Sequence, residues 1–429
     1  MAATINTNIA SINAQRNLTL SGQSLNTTMQ RLSSGLRVNS AKDDAAGLAI
    51  AERMNTQVKG LAVASRNAND GISLAQTAEG ALGKVGDMLQ RMRELAVQAG
   101  NATNSASDRA ALQAEVKQLA DEVDRVAKQT NFNGQKVLDG SFAGAVFQVG
   151  ANSGDNITLG ALVDTRASQI SNISYAVAPS GNTPINVDTG LDASGAPNTI
   201  SSFADPIALG DLEIIVTGND QNGTAVTTTI PLGAMKEAQS PQERLGQVIE
   251  AINNKTADTG VTAYLTKVDG TESYSIEILS GKIDGEGNPV SVAFSGFSAA
   301  LTGMSSADIA IAGGATGANA KANQKGIEDV DVSTQAGAWV GLKKIDSAID
   351  QVNSARATLG AIQTRFETAV NNIDVQVENL AAARGRIVDA DFAKETANLS
   401  RTQILQQAGT AMVSQANQIP QSVLQLLQG

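Results

Sequence analysis

The stretch AQTAEGALGKVGDMLQRMRELAVQAG, residues 75–100, decides the helical part of the fold. Its apolar residues recur at alternating steps of three and four. They are Ala75, Ala78, Leu82, Val85, Leu89, Met92, Ala96 and Ala99. This alternation places one apolar stripe along one face of an α-helix, which is the repeat of coiled-coil packing. The stretch therefore predicts a long helix whose stripe is covered by other helices.

The same spacing recurs on both sides of that stretch. A following helix is predicted after Asn104-Ser105 by Leu112, Val116, Leu119, Val123 and Val126. A later helix of about 36 residues, or ~54 Å, is predicted by seven-residue steps. Those steps are Ile345, Val352, Leu359, Phe366, Ile373 and Leu380. The chain thus leaves along helices and returns along helices.

Two shorter apolar seams mark the ends of the chain. The N-terminal seam, before the helix break at residues 32–47, consists of Ile5, Ile9, Ile12, Leu25, Met29 and Leu32. The C-terminal seam consists of Leu405, Met412, Ile419 and Leu426 at seven-residue steps. We predict that these side chains pack the two terminal arms, and we expect the arms to pair with each other.

Proline separates the helical arms from the middle of the chain. Seven of the eight prolines fall between Pro179 and Pro289, and the eighth is Pro420. Because proline in a helix interior costs about 3 kcal/mol or more, the arms are free to be helical and the middle is not. At Pro420 we expect a kink or a restart of the last helix.

The middle is predicted to be mainly β, with one helix. Residues 212–217 and 225–230 flank a hairpin loop, and residues 261–265 and 273–279 alternate as strands do. Ser240-Pro241 with Glu243 is a typical helix start. Residues 310–323 are predicted to be a linker. A further small hairpin is predicted at residues 145–149 and 156–159. The fold class is α+β: long helical coiled-coil terminal arms, a helical rod domain with a β-hairpin, and a mainly β outer domain inserted in the middle.

Composition excludes several classes of function. The net charge is −11, which opposes nucleic-acid binding because phosphate contacts need a basic surface. The chain has no Cys and no His, so thiol and imidazole metal sites and catalysis by histidine dyads or triads are excluded. Only 3% of the residues are aromatic, which suits thin helix–helix seams better than one deep core.

We predict no catalytic, cofactor-binding or metal-binding residues. The paired carboxylates Asp43/Asp44, Asp329/Asp331 and Asp389/Asp391 have no predicted pocket around them. The loop at residues 284–288 misses the EF-hand ligand spacing and is predicted to be a plain turn.

The ends of the chain bear on export and assembly. The N-terminal segment MAATINTNIASINAQR lacks the basic and apolar regions of a secretory signal peptide, and no run approaches a transmembrane span. Few residues are expected to cover the terminal seams within one folded chain, so a lone subunit is expected to expose them. Head-to-tail contact between two different surfaces then gives an open helical polymer.

Both arms resemble bacterial flagellin. The N-terminal resemblance includes INTNIASINAQRNL (5–18), LSSGLRVNSAKDDAAGLAIAERM (32–54) and LQRMRELAVQAGN (89–101). The C-terminal resemblance includes LGAIQTRFETAVNNI (359–373) and SRTQILQQAGTAMVSQANQIPQSVLQLL (400–427). The resemblance implies a structural subunit that polymerises into the extracellular flagellar filament used for swimming. It also implies three domains: an inner domain (1–45 and 390–429), a rod domain (46–176 and 325–389) and a variable outer domain (177–324).

The resemblance also implies partners and one contact segment. The partners are other copies of the chain, the type III export apparatus, an export chaperone, and the filament cap and hook-junction proteins. Gln90, Arg91, Leu95 and Glu115 match the family's subunit-contact segment and its epitope for a host flagellin-sensing Toll-like receptor. We expect Leu95 to be exposed beside Arg91.

Three alternatives remain at this stage. A hook–filament junction protein has similar arms. A filament subunit with an adhesive or enzymatic outer domain shares them as well. A non-flagellar coiled-coil adhesin would lack the paired motifs at both ends.

Overall fold

The computed structural model describes residues 8–178, 185–186, 200, 202–267, 273–313 and 320–428. The chain forms two compact units. Unit 1 comprises Met1–Ser73, Val146–Thr158 and Gln363–Gly429. Unit 2 comprises Leu74–Ala145 and Leu159–Ile362. The three-domain division expected from the sequence remains a prediction.

Long helices occupy both ends of the sequence. The described helices are α1 (Ile9–Ser34), α2 (Ala45–Ala99), α3 (Ala106–Gln129), α4 (Pro241–Asn253), α5 (Thr256–Thr259), α6 (Ala299–Thr302), α7 (Ser306–Ile309), α8 (Gln335–Val388) and α9 (Phe392–Gln428). The predicted α+β class, with helical arms around a β-rich middle, is confirmed.

The residues that start and stop the helices satisfy the free backbone groups there. Asn8 caps α1 by accepting a hydrogen bond from the Ser11 N–H, and Gly35 ends it in the left-handed conformation at φ 71°. Ser105 and Asp108 form a reciprocal capping box at the start of α3. The helix starts expected at Ser105 and Ser240 are therefore confirmed.

The strands form small antiparallel sheets. The described strands are β1 (Asn131–Phe132), β2 (Gln135–Lys136), β3 (Ala145–Gln148), β4 (Asn156–Leu159), β5 (Asn172–Val177), β6 (Ile185–Asn186), β7 (Glu213–Asn219), β8 (Ala225–Pro231), β9 (Val261–Lys267), β10 (Ser273–Ser280), β11 (Ser291–Ser295) and β12 (Ala320–Lys325). The predicted hairpins β3–β4 and β7–β8 are confirmed, and the strands predicted at residues 261–265 and 273–279 pair with each other as β9 and β10.

The two larger sheets and α4 share one hydrophobic core in unit 2. The path β12-β5-β10-β6, with β9 beside β10, forms one sheet, and β11-β7-β8 forms the other. Leu245, Val248 and Ile252 of α4 are fully buried in the cluster that also holds Ile214 and Ile278. The cluster provides this region with a conventional packed interior, unlike the thin seams of the arms.

The helical seams are buried as expected, with two differences in extent. Residues 75–99 form one end of α2, a single 55-residue helix that begins at Ala45 and continues through the turn-forming pair Asp70-Gly71. The eight residues of the apolar stripe, from Ala75 to Ala99 at steps of three and four, are at most 1% exposed. In α8, which is 54 residues long, the repeat from Ile345 to Ile373 is likewise buried.

Two expectations about breaks need correction. Helix α9 continues through Pro420 to Gln428, so no restart occurs there, and the alternative of a kink stays a prediction. Part of the predicted linker at residues 310–323 is the strand β12, in which Ala320 and Lys321 pair with β5. Short small-residue sequences form strands when a neighbouring strand supplies their hydrogen bonds, which sequence composition alone does not reveal.

Candidate assembly surfaces

The two terminal helices pair in an antiparallel arrangement inside unit 1. The Asn8 side chain donates a hydrogen bond to the Ala416 carbonyl at 2.7 Å. The Ser11 hydroxyl lies 2.6 Å from the Asn417 side-chain oxygen. At the other end of α1, the Arg31 guanidinium pairs with Glu395 at 3.3 Å. The expected pairing of the arms therefore exists, and polar contacts set its two ends.

Small and polar side chains fill the contact between α1 and α9. On α9 it follows seven-residue steps through Glu395, Thr402, Gly409 and Ala416. Except for Gly409, these residues are buried, at 6–8% exposure. A Cβ added at Gly409 would lie only 3.1 Å from Leu18 Cδ1. The helices thus approach closely because the residues between them are short.

Five of the large apolar side chains predicted to form the seams point away from this contact. Ile9, Ile12, Met29, Leu405 and Met412 are 68%, 58%, 53%, 49% and 66% exposed. For these five residues the expectation that a single chain exposes its terminal seams is confirmed. Large apolar side chains exposed at such a density mark an interaction surface.

The residue-level assignment of arm packing needs a correction. The apolar C-terminal seam lies three residues beyond the repeat that α1 covers, so Leu405 and Met412 do not pack within the chain. Leu25 and Leu32 are half-buried. Ile5 and the side chains of Ile419 and Leu426 lie outside the described residues. Hydrophobic spacing was used to choose the seam, whereas the contact selects small residues.

Sequence reasoning missed three further exposed apolar residues on the arms. Leu20, Phe392 and Ile404 are exposed. Leu20 follows Ile9 by eleven residues, which is three turns of a helix, so both lie on the same side of α1. An eleven-residue spacing was therefore the signal in the sequence that could have found Leu20.

The predicted contact segment in α2 is held by an ion-pair network in unit 2. Arg91 Nε and one terminal nitrogen lie 2.9 and 2.8 Å from Glu115 Oε1, and its other terminal nitrogen lies 3.1 Å from Glu94 Oε2. These bonds, chiefly the one to Glu115, raise the pKa of Arg91. Gln90 and Arg91 are exposed, and Glu115 is partly exposed. The structure therefore joins Arg91 to Glu115, with Gln90 beside Arg91 in the sequence.

Leu95 is not part of that surface. It is 1% exposed, so the expected exposed leucine beside Arg91 is wrong. Leu95 adjoins Ala96 and follows Met92 by three residues, and a core-facing helix buries three to four residues in every two turns. The buried stripe of α2 is thus wider than the two positions per heptad used in the prediction. Val97 is the exposed apolar residue here.

The paired carboxylates accept backbone hydrogen bonds at turns. Asp43 accepts from the Asn39 and Ser40 N–H groups, and these bonds together with the Ser40 hydroxyl lower its pKa. Asp44 accepts from the Gly47 N–H at the start of α2. Asp391 and Asp331 accept in the same way before α9 and α8. Each of these carboxylates therefore has a structural partner.

The described residues contain no group of three or more acidic side chains placed to hold a metal ion. None of the described helices has the length and apolarity needed to cross a membrane. At residues 284–288, Asp284 accepts from the N–H groups of Glu286 and Asn288, which is the geometry of a turn.

Comparison with known proteins relates both ends of the chain to one family. The family model of the bacterial flagellin N-terminal helical region matches residues 5–143, and that of the bacterial flagellin C-terminal helical region matches residues 342–427. B-type flagellin of Pseudomonas aeruginosa is 39% identical over 490 aligned residues, and Flagellin D of Vibrio cholerae is 40% identical over 431. Each of these two matches covers 100% of both chains.

Part of this chain is similar to a solved structure. The FliC structure from Burkholderia pseudomallei is 25% identical, covers 69% of this chain and 99% of that chain, and superimposes with a TM-score of 0.35. The terminal helices α1 and α9 lie almost entirely inside the regions that the two family models match.

Proposed function

The chain belongs to the bacterial flagellin family and is a structural subunit of the flagellar filament, and from this premise we propose that the exposed apolar faces of α1 and α9 join one subunit to the next. The observation that carries the proposal is the kind of side chain that α1 and α9 bury between them. The contact within the chain uses small and polar residues, and Ile9, Leu405 and Met412 remain in solvent.

The free energy available from these residues is large enough for assembly. Covering a large apolar side chain contributes about 1.5–3 kcal/mol when burial is complete. Several such residues lie on each arm, and every subunit repeats them in a polymer. The faces of α1 and α9 differ in sequence, so contact between them is heterologous. Such a contact propagates as an open helix when its rotation does not close a ring.

The test is a pair of charge substitutions on α9. Leu405→Asp combined with Met412→Asp should abolish polymerisation, because each new carboxylate would be buried without a partner at the subunit contact. Electron microscopy and sedimentation of purified protein under polymerising conditions measure the result. Circular dichroism of the monomer should be unchanged, since both side chains are exposed there.

A matched control separates charge from position. Gln403→Asp combined with Gln415→Asp adds the same charge to exposed polar positions of α9. This variant should polymerise. Filaments of normal length from the Leu405/Met412 variant would overturn the proposed interface, and failure of both variants would show that added charge alone blocks assembly.

We further propose the layered arrangement implied by the family. Residues 1–45 and 390–429 form the filament core, residues 46–176 and 325–389 surround it, and residues 177–324 face outward. The subunit passes through the type III export apparatus with a chaperone on its C-terminal arm and joins hook-junction and cap proteins at the filament ends. Among the described residues, eight of the sixteen exposed large apolar side chains lie on the two arms, and this concentration supports the order. Relatives that act as structural proteins support the absence of an enzymatic role.

We also propose that Gln90, Arg91 and Glu115 form a subunit contact and a receptor epitope. Their exposed ion-pair network presents a fixed pattern of charge, with Arg91 oriented by two carboxylates. Arg91→Ala should reduce both receptor signalling in reporter cells and filament yield. Arg125→Ala on α3 removes another exposed arginine paired to a carboxylate and serves as the control. Equal behaviour of the two variants would contradict this assignment.

A further inference from the structure

A cleft in unit 2 combines aromatic and hydrogen-bonding side chains. Its volume is about 390 Å³, and Tyr175, Trp339, Lys343, Glu286 and Asn288 are among the residues that line it. Small-molecule sites range over ~300–1,000 Å³ and pair an apolar surface with a few polar groups. The cleft meets both criteria, and the filament contacts proposed above do not use it.

Trp339 forms the apolar wall, and the backbone holds it in place. It is the single Trp of the chain, and it is half-buried in α8. Gly281 lies so close that an added Cβ would be 2.7 Å from Trp339 Cη2. The absence of a side chain at residue 281 therefore allows the backbone to pack against the ring and fix its orientation.

The polar rim contains side chains that suit hydroxyl groups. Asn288 lies 3.5 Å from the Glu286 carboxylate, so an amide and an acid stand side by side on one loop. Burial raises the pKa of Tyr175, so its hydroxyl keeps its proton and remains a donor. Lys343 Nζ lies 5.8 Å from the centroid of the Trp339 ring. The rim thus offers both donors and acceptors.

The charges at the cleft favour a neutral ligand. Lys343 and Glu286 carry opposite charges, and no cluster of cations is present in the lining. A nucleotide would stack on the indole ring, but its phosphates need a basic site and the chain carries −11. A neutral pyranose ring has an apolar C–H face for the ring of Trp339 and a rim of hydroxyl groups for the amide, the acid and the phenol.

Two larger cavities can be compared with this cleft. Their volumes are about 480 and 580 Å³, and among the described residues that line them none is aromatic. Volume alone therefore does not distinguish the cleft. The aromatic ring, together with the polar rim, distinguishes it.

We propose that this cleft binds a neutral pyranose sugar, with the ring of Trp339 against its C–H face and Asn288, Glu286 and Tyr175 on its hydroxyl groups. The sugar is either free in solution or the end of a glycan on another surface. Both sources present the same ring to the cleft.

The experiment uses the full-length monomer and the free methyl glycosides of glucose, galactose, mannose and N-acetylglucosamine. Saturation-transfer NMR should show contact with the ring protons of at least one of them. Because Trp339 is the single tryptophan, its fluorescence reports binding at this cleft directly. We expect a saturable change in the fluorescence.

Variants assign the signal to the cleft. Trp339→Ala should abolish the NMR transfer, and Asn288→Ala should weaken binding by about tenfold while leaving the fold intact. Asn254→Ala, in the 580 Å³ cavity, is the matched control and should bind as the parent chain does. Trp339→Phe keeps a flat ring and should retain part of the affinity.

The outcomes that overturn the proposal are specific. No response from any of the sugars, a response that survives Trp339→Ala, or adenosine binding as tightly as the sugars would each refute it. Capture of assembled filaments on beads bearing the same sugar would identify a surface glycan as the source. Binding of the free glycoside without capture on beads would identify a soluble sugar.

Discussion

Residues 75–99 and the terminal pair α1–α9 follow the same helical period but bury opposite kinds of side chain. In the first region Leu82, Val85 and Leu89 are at most 1% exposed. In the second region Ser11 and Thr402 are buried, and large apolar residues such as Met412 face solvent. A heptad pattern therefore identifies a helix with a partner but not whether that partner belongs to the same chain.

The difference is physical rather than accidental. A domain that must fold alone buries its apolar surface internally. An arm that must join other subunits keeps that surface available and pairs internally through short side chains. The polarity of the internal contact, rather than the strength of the repeat, indicates which segment assembles.

The largest expected effect comes from the same substitution made in each region. Leu89→Asp would bury an unpaired carboxylate, which costs several kcal/mol against a typical stability of ~5–15 kcal/mol, so the monomer should be largely unfolded. Leu405→Asp should change the free energy of unfolding of the monomer by less than ~0.5 kcal/mol. Urea denaturation followed by circular dichroism measures both. Similar losses of unfolding free energy in the two variants would contradict the proposed difference between the two regions.

A smaller effect on stability is expected from alanine substitutions at two glycines of α2, Gly71 and Gly80. A Cβ at Gly71 would lie 2.7 Å from the Phe366 ring, which is buried and stacked edge-on with Phe147 at 5.3 Å between centroids. Gly71→Ala should therefore destabilise by about 1–3 kcal/mol through overpacking.

Gly80→Ala is the matched control for that change. A Cβ there meets nothing within 4 Å, so the helix propensity of Ala should stabilise by about 0.5–1 kcal/mol. Thermal unfolding of both variants gives the signs. A stabilised Gly71→Ala variant would mean that the Phe366 side chain moves aside easily and that this seam is loosely packed.

The smallest effect concerns the capping box of α3. Ser105→Ala should destabilise by about 1 kcal/mol, because the Asp108 N–H loses its acceptor. The Ser105 hydroxyl and N–H lower the pKa of Asp108 below its ordinary 3.8. The stabilisation from Asp108 is thus fully present above pH 3.8 and is lost as the pH falls through the lowered pKa.

The measurement is the urea midpoint as a function of pH for the parent chain and for Asp108→Asn. The two midpoints should differ at neutral pH and converge in acid below pH 3.8. A constant difference across that range would show that the carboxylate does not act through its charge. Asp121→Asn, on the same helix and exposed, is the control.

The sequence predicted the elements well where a local signal existed. The cap at Ser105, the cap at Ser240 and the hairpin β7–β8 each rest on residues within a few positions of one another. The continuation of α9 through Pro420 was not predicted, because the single proline was given more weight than the helix as a whole.

The parts that failed depend on contacts between distant residues. Leu95 was expected to be exposed, but the width of the buried stripe is set by the helices around α2. In the terminal pair, Asn8 contacts Ala416. The seven-residue repeat alone does not determine whether α9 meets α1 through Thr402 or through Leu405. The cleft around Trp339 likewise brings together strands, a loop and a helix.

The small residues between α1 and α9 repeat every seven positions, so a slip of one heptad, ~10 Å along the helix axis, would again place short side chains in the contact. The Arg31–Glu395 pair removes this ambiguity. After such a slip the carboxylate of Glu395 would face the region of Ser24 and lose its cation. Together with the Asn8–Ala416 contact at the other end, this ionic contact selects one register of α1 against α9. The register in turn determines the height along the arms at which each subunit presents its apolar faces to the next.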